Sequence, residues 1–335
     1  MKGFDVKINL VADWHRNIYN WFVANCGCSA KWKFVEEKNA GLVDAIARKD
    51  FGAVSEVERN AFASYYFNLL HRIVAPLVRK FKSPSEEALF VNVPADQFVD
   101  VKQGFDSFRQ DVITGNSLEW RQTEKRFEID GKDVLLDRFK IQHFHIHVNP
   151  KKRGNLVAYC FVSDEEVKVI ALETHKVFSS PEKCQAIVEK AFALYPEEFK
   201  SFFIKADEAS VPTDLAEQKK MSWLNLNASF WIGDKEFYPI GMGSMMDGVS
   251  MESQRWMMMT IRLLRAATGA IKKFVEDDRE KIVQIDPSRV NGVEFHLFGW
   301  AGPMAEARTS DESWRTTYDI MSNKVSLTCV DNLLS

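Results

Sequence analysis

The sequence predicts an α+β protein with a helical N-terminal region (residues 1–83), a central α+β region built on an antiparallel meander (84–206) and a C-terminal α/β part (207–335). Three observations predict it. Apolar residues recur at helical spacing through the first eighty residues, short alternating runs separated by turns fill the middle, and strands and helices return after the polar connector "KADEASVPTDLAEQKK". At 335 residues and 46% hydrophobic, the chain is long enough to bury more than one core.

In the first region "DWHRNIYNWFVANC" places Trp14, Ile18, Trp21 and Phe22 on a helical stripe. A second helix, "SEVERNAFASYYFNLLHRIVAPLVRKF", opens with Ser55 and Glu58 at capping-box spacing and is shortened or kinked by Pro76. His71 lies there among Leu69, Leu70, Ile73 and Val74, with no carboxylate or cysteine within a helical turn, which assigns it to packing. The stretch "KSPSEEALFVNVPADQFVD", with Pro84 and Pro94, reads as a connector.

The middle begins with "EKRFEIDGKDVLLDRF", which reads as a hairpin about Asp130-Gly131. The strand "KIQHFHIHV", a turn at "NPKKRGN", the strand "LVAYCFV", a turn at "SDEE" and the strand "VKVIAL" then form the meander. Ser179 or Ser180, with Pro181 and Glu182, starts a helix through "KCQAIVEKAFALY". In the last region "SWLNLNASFWIGDKEFYPIGM" predicts a hairpin about Gly233-Asp234, and "SMESQRWMMMTIRLLRAATGAIKKFVEDD" a long helix with Trp256, Met257, Met258 and Met259 in its core face. Strands at "KIVQID" and "GVEFHLFGW" bracket Pro287, and a final helix covers "SDESWRTTYDIMSN".

Forty-four basic and 47 acidic side chains leave a formal net charge of -3, so no overall field draws the chain to nucleic acid or anionic membrane, and any nucleic-acid contact must be local. No apolar run reaches membrane-spanning length, and "MKGFDVKINLVADWHRN" turns polar too early for a signal peptide, so the expectation is a cytoplasmic protein with no membrane partner. Five cysteines, an odd number with Cys26 and Cys28 one residue apart, are expected as reduced thiols.

The sharpest chemical signal is "IQHFHIHVNPKK". On a strand, His143, His145 and His147 share one face while Phe144, Ile146 and Val148 share the other. Two chemistries use such a comb. In one, His143, His145, His147 and His175, with Glu173 nearby, would ligate zinc or another divalent metal, although Lys151, Lys152 and Arg153 make the adjoining turn cationic. In the other, which needs no cofactor, imidazoles move protons at neutral pH on a phosphate ester. Lys151, Lys152 and Arg153 then hold the phosphate oxygens, and the meander returns His175 to the same edge of the sheet. A third possibility is a structural or interaction role without catalysis. Elsewhere, "GMGSMMDG" lacks the lysine of a P-loop and reads as a turn or helix start. His296 pairs with Glu294 or, with Arg308, forms a second half-site. "SAKWKF" is too short to claim a single-strand platform.

Two family resemblances bear on the comb. "HFHIHVNP" resembles the histidine-triad (HIT) motif of nucleotide hydrolases and transferases, which would make His145 the nucleophile toward an α-phosphate with His143 and His147 supporting it. This chain has "LLDRFKIQ" where that family carries glycine and glutamine. The longer stretch 135–179 resembles toxin-like domains of bacterial and phage-defence proteins, in which Ile-x-His-Phe/Leu-His is followed by a basic residue and a closing histidine before Phe-Ser. That resemblance carries over His143, His145, Arg153 and His175, and implies an intracellular RNase or phosphodiesterase acting on RNA or nucleotides, with an antitoxin or defence protein as partner.

Overall fold

The computed structural model describes residues 5–26, 40–123, 133–146, 156–204, 229–233, 235–243, 249–285, 287–289, 292–301, 304–310, 314–319 and 324–329. The fold is α+β and divides into two compact units, Met1–Lys31 with Asn39–Ser64 and Arg255–Ser335, and Trp32–Lys38 with Tyr65–Gln254. The first unit draws on both ends of the chain, because the first strand pairs with the C-terminal sheet. Elements are numbered in chain order.

In the first unit, β1 (Asp5–Ile8) lies parallel to β9 (Gly292–Ala301), and β10 (Met304–Thr309), β11 (Trp314–Asp319) and β12 (Lys324–Cys329) follow antiparallel in the order β1-β9-β10-β11-β12. Gly292 is required at this junction, since its φ is 135° and a Cβ there would strike the Asp5 carbonyl. α1 (Leu10–Asn25), capped by the Asn9 side chain on Ala12 N–H at 3.0 Å, buries Leu10, Trp14, Ile18 and Phe22. Its Tyr19 hydroxyl donates to the Ala45 carbonyl of α2 (Ala40–Arg48) at 2.6 Å.

α3 (Glu56–Arg72) starts at the expected capping box: Ser55 N–H donates to Glu58 Oε2 at 2.7 Å and Glu58 N–H to Ser55 Oγ at 3.3 Å. It ends four residues before Pro76. In the second unit, β2 (Lys80–Lys82) lies parallel to β5 (Glu166–Thr174), and β4 (Leu156–Val162) and β3 (Ile141–His145) continue antiparallel, in the order β2-β5-β4-β3. The meander stands as the sequence predicts. One face of β3 and β4 gives Phe144, Leu156, Ala158 and Cys160 to a core completed by α5 (Phe98–Thr114), which buries Val101, Phe105, Phe108 and Val112. α4 (Glu86–Leu89) adds Leu89 to that core. The other face gives Ile141, Val157, Tyr159 and Phe161 to a core completed by α6 (Val134–Phe139) and α7 (Pro181–Leu194). α7 starts as predicted, with Lys183 N–H on the Ser180 hydroxyl at 3.2 Å and Pro181 in the first turn. β6 (Phe203–Ile204), β8 (Lys235–Phe237) and β7 (Phe230–Ile232) form a small sheet, and Gly233 sits at its hairpin with φ 60°.

α8 (Met251–Asp277) is the predicted long helix, followed by α9 (Arg279–Ile285). No helix among the described residues is long and apolar enough to cross a membrane. Four expectations are corrected. "VLLDRF" is helical, because Asp133 caps it and Leu135 and Phe139 enter the core one turn apart. "KIVQID" lies within α9 up to Ile285, a helix that buries Ile282. "WRTTYD" is β11, with Trp314, Thr316 and Tyr318 alternating inward. In α8 the buried stripe runs through Met257, Ile261, Leu264, Ile271 and Val275, so Trp256, Met258 and Met259 fall off it and are exposed.

Candidate active site

The site grows from the second unit's β3. Residues 141, 143 and 145 alternate to the face that carries Ile141 into the core, while Phe144 points the other way and stacks on Phe108 at 5.2 Å. His143 and His145 are buried, and His175 follows the last residue of β5. The antiparallel ladder sets His145 opposite Val157 and Val157 opposite Glu173, so the end of β5 returns His175 to the end of β3.

The three rings meet there. His145 Nε2 and His175 Nε2 are 3.1 Å apart, with ring centroids at 4.7 Å. His143 stands edge-on to His175 at 5.1 Å and 85°. Two imidazole nitrogens approach this closely as hydrogen-bond partners only when one carries the proton and the other offers its lone pair. One ring of the pair therefore holds a proton on Nε2 and the other offers its Nε2 lone pair to it.

Around the rings, the His143 Nδ1 lies 3.6 Å from Asp133 Oδ2. Burial pushes the His143 pKa below its ordinary value, and the Asp133 carboxylate opposes the shift. Tyr159, directly opposite His143 in the ladder, is fully buried and donates its hydroxyl to the Thr174 carbonyl at 3.3 Å. Its pKa is raised by burial, then by Cys184, Asp133 and Glu173, so it stays a phenol. The Cys184 thiol, pushed up to about 11 by burial and Asp133, donates to the Val177 carbonyl at 3.4 Å and is no nucleophile at neutral pH. Cys26, Cys160 and Cys184 are free thiols.

Beneath the site, Arg121 is fully buried. Its Nε and Nη2 reach Asp111 Oδ2 at 2.8 and 2.7 Å, Nη2 donates to Ser107 Oγ at 2.8 Å, and Nη1 donates to the His145 carbonyl at 3.4 Å. The guanidinium lies 3.9 Å from the Trp120 ring centroid. Burial lowers its pKa and Asp111 opposes that, so it remains a cation that holds the backbone at the end of β3.

Of the predicted site residues, the structure brings His143, His145 and His175 together. His147, Lys151, Lys152 and Arg153 lie outside the described residues. Glu173 accepts from Asn92 Nδ2 at 2.6 Å. Among the described residues no group of three or more His, Cys, Asp or Glu side chains is placed to hold one metal ion. The His145 and His175 Nε2 atoms have about the spacing of two ligands on one ion, for which bonds of ~2.0–2.1 Å and a tetrahedral angle give about 3.4 Å.

A second cluster forms where sequence reasoning assigned packing alone. His71 Nε2 lies 3.9 Å from Asp137 Oδ1 and its Nδ1 lies 3.8 Å from Glu252 Oε2, while Lys140 Nζ donates to Glu252 Oε1 at 3.0 Å. Burial chiefly lowers the His71 pKa, against the pull of Glu252. These carboxylates are remote in sequence. In the glycine stretch, Gly241 N–H and Gly243 N–H donate to the carbonyls of Arg138 and Asp137 at 2.8 and 2.9 Å, so both are committed to α6 and not to a phosphate; residues 244–248 lie outside the described set. In the first unit His296 lies 3.8 Å from both Asp13 Oδ1 and Glu294 Oε1 and pairs across the ladder with Arg308.

No family profile, curated protein or solved structure matches this chain.

Proposed function

We propose that the histidine site cleaves phosphodiester bonds in RNA by metal-independent acid–base catalysis, as a toxin or defence effector would. The observation that carries this reading is the Nε2 to Nε2 contact of 3.1 Å between His145 and His175, with His143 edge-on beside it. A ribonucleotide supplies its own nucleophile. The neutral imidazole, its Nε2 lone pair turned from the other ring to the substrate, takes the proton of the 2′-hydroxyl, the resulting oxygen attacks the adjacent phosphorus, and the bond from phosphorus to the 5′-oxygen breaks. The other imidazole, an imidazolium with a proton on each nitrogen, gives its Nε2 proton to that departing oxygen and ends neutral. The products are a 2′,3′-cyclic phosphate and a 5′-hydroxyl, with the two imidazoles left in exchanged protonation states. Positive charge for the non-bridging oxygens is the remaining need, and Lys151, Lys152 and Arg153, which follow the histidine strand in sequence, are the candidates to supply it.

Expression of the wild type and of His145→Ala in growing cells, with total RNA run on a gel, tests the reading. The wild type is expected to stop growth and cut RNA, and the variant to do neither. Equal harmlessness with intact RNA would refute it. A stable phosphate ester on His145 after incubation with a nucleotide would instead move the assignment to a HIT-like nucleotide hydrolase.

A further inference from the structure

Building on the phosphodiesterase reading, we propose that Asp133 is the positioning residue of this site: it holds His143 with the proton on Nδ1 and leaves Nε2 as that ring's acceptor nitrogen.

Asp133 is the residue immediately before α6, and its two carboxylate oxygens have separate tasks. Oδ1 accepts the Leu136 N–H at 3.1 Å, which is the N-cap bond of α6. Oδ2 lies 3.6 Å from His143 Nδ1. The backbone is held as well, since Asp133 N–H donates to Asp137 Oδ2 at 3.1 Å. A carboxylate fixed at its backbone and at one oxygen has little freedom left in its second.

The helix behind it is equally constrained. Leu135 and Phe139 enter the core, Phe139 meets Phe230 edge-on at 4.8 Å, and the loop at Gly241 and Gly243 hydrogen-bonds the last carbonyls. Lys140 then turns the chain with φ 56° directly into β3. The six residues of α6 thus set the distance between the Asp133 carboxylate and the His143 ring.

An ionised carboxylate only accepts hydrogen bonds, so the ring nitrogen that faces it is the one that carries hydrogen. The opposite tautomer would set a lone pair against the carboxylate. At 3.6 Å the contact is electrostatic rather than a hydrogen bond, and the carboxylate's charge favours hydrogen on the nitrogen that faces it. His143 in turn forms the edge-on wall of His175, so its orientation bears on the ring that contacts His145.

The test is Asp133→Asn, examined with nitrogen-15-labelled protein above pH 8, where histidine tautomers are read from the two ring-nitrogen shifts. Asparagine caps a helix as well as aspartate does. With its oxygen kept on Leu136 N–H, its amide N–H faces His143 Nδ1 and demands a lone pair there. The wild type is expected to show His143 protonated on Nδ1, and the variant on Nε2, with an unchanged melting temperature. Cleavage of an RNA oligonucleotide by the variant should fall about 100-fold in kcat with little change in KM. Asp133→Ser, which keeps the cap but not the charge, should also lose the Nδ1 preference. The same tautomer in all three proteins, or an inverted tautomer with undiminished kcat, would overturn the assignment. If the tautomer inverts in Asp133→Asn but the wild type cuts no RNA, Asp133 still positions His143 and the phosphodiesterase reading falls alone.

Discussion

Arg121→Met removes the cation that ties the end of β3 to α5 while keeping most of the side-chain volume. The wild-type guanidinium is fully buried and makes contacts of 2.7–2.8 Å to Asp111 and Ser107, with a longer one of 3.4 Å to the His145 carbonyl. Breaking a buried pair by deleting one partner costs roughly 3–5 kcal/mol, because the surviving charge keeps its desolvation penalty. Here Asp111 is 16% exposed and retains Asn116 Nδ2 at 3.1 Å, which places the loss at the low end, about 3 kcal/mol. Adding Asp111→Leu removes the stranded carboxylate, so the double variant should recover to within about 1 kcal/mol of wild type. Urea unfolding of the wild type, the two single variants and the double variant measures the cycle. Hydrogen exchange at Ile146, whose N–H donates to the Leu156 carbonyl at 3.3 Å beside the pinned His145, should quicken in Arg121→Met. A loss below about 1 kcal/mol in Arg121→Met, or a double variant as unstable as the sum of the singles, would refute the pinning role.

Three further outcomes follow from named contacts. His15, His71 and His143 all have pKa values lowered chiefly by burial, His15 to about 4. The unfolded chain therefore binds protons near pH 6.5 that the folded chain takes only lower, so stability is intact above that pH and falls on acidification. For His15 alone the loss reaches about 3 kcal/mol by pH 4, and denaturant midpoints between pH 7.5 and 5 should decline less in His15→Phe than in the wild type. Gly241→Ala drives a Cβ into the Asp137 carbonyl of a hydrogen-bonded loop and should cost about 1–3 kcal/mol in thermal unfolding. Gly269→Ala, in α8 with open space at its Cβ, should instead stabilise by up to about 1 kcal/mol.

The histidine face was legible because strand alternation is strict. His143 and His145 had to share a side, and the meander had to return His175 to the same end. The capping box at Ser55 and the Ser180–Pro181 helix start were legible for a similar reason, since their chemistry is local. α6 was not. Asp130-Gly131 and Asp133 are competing turn and cap signals three residues apart, and six helical residues are too few for a period to decide between helix and strand. The winner was set by tertiary contacts, chiefly Leu135 and Phe139 in the core and the loop at Gly241. α5 carries a readable stripe in Val101, Phe105, Phe108 and Val112, whereas β11 hides behind a capping-like "SDES" although its Trp314, Thr316 and Tyr318 alternate. The supports of the site were invisible for a different reason. Asp133, Arg121 and the Asp137 and Glu252 partners of His71 reach their targets across 10, 24, 66 and 181 residues, and no local pattern encodes such pairings.

The most direct test of the central claim is cleavage of an end-labelled RNA oligonucleotide by purified wild type, His145→Ala and His175→Ala, with EDTA present and the product termini identified. Cleavage by the wild type in EDTA is expected, with a 2′,3′-cyclic phosphate beside a 5′-hydroxyl and a rate lower by about 10²–10⁴-fold in each variant that keeps its fold. Uncut RNA with the wild type, or equal cleavage by all three proteins, would contradict it.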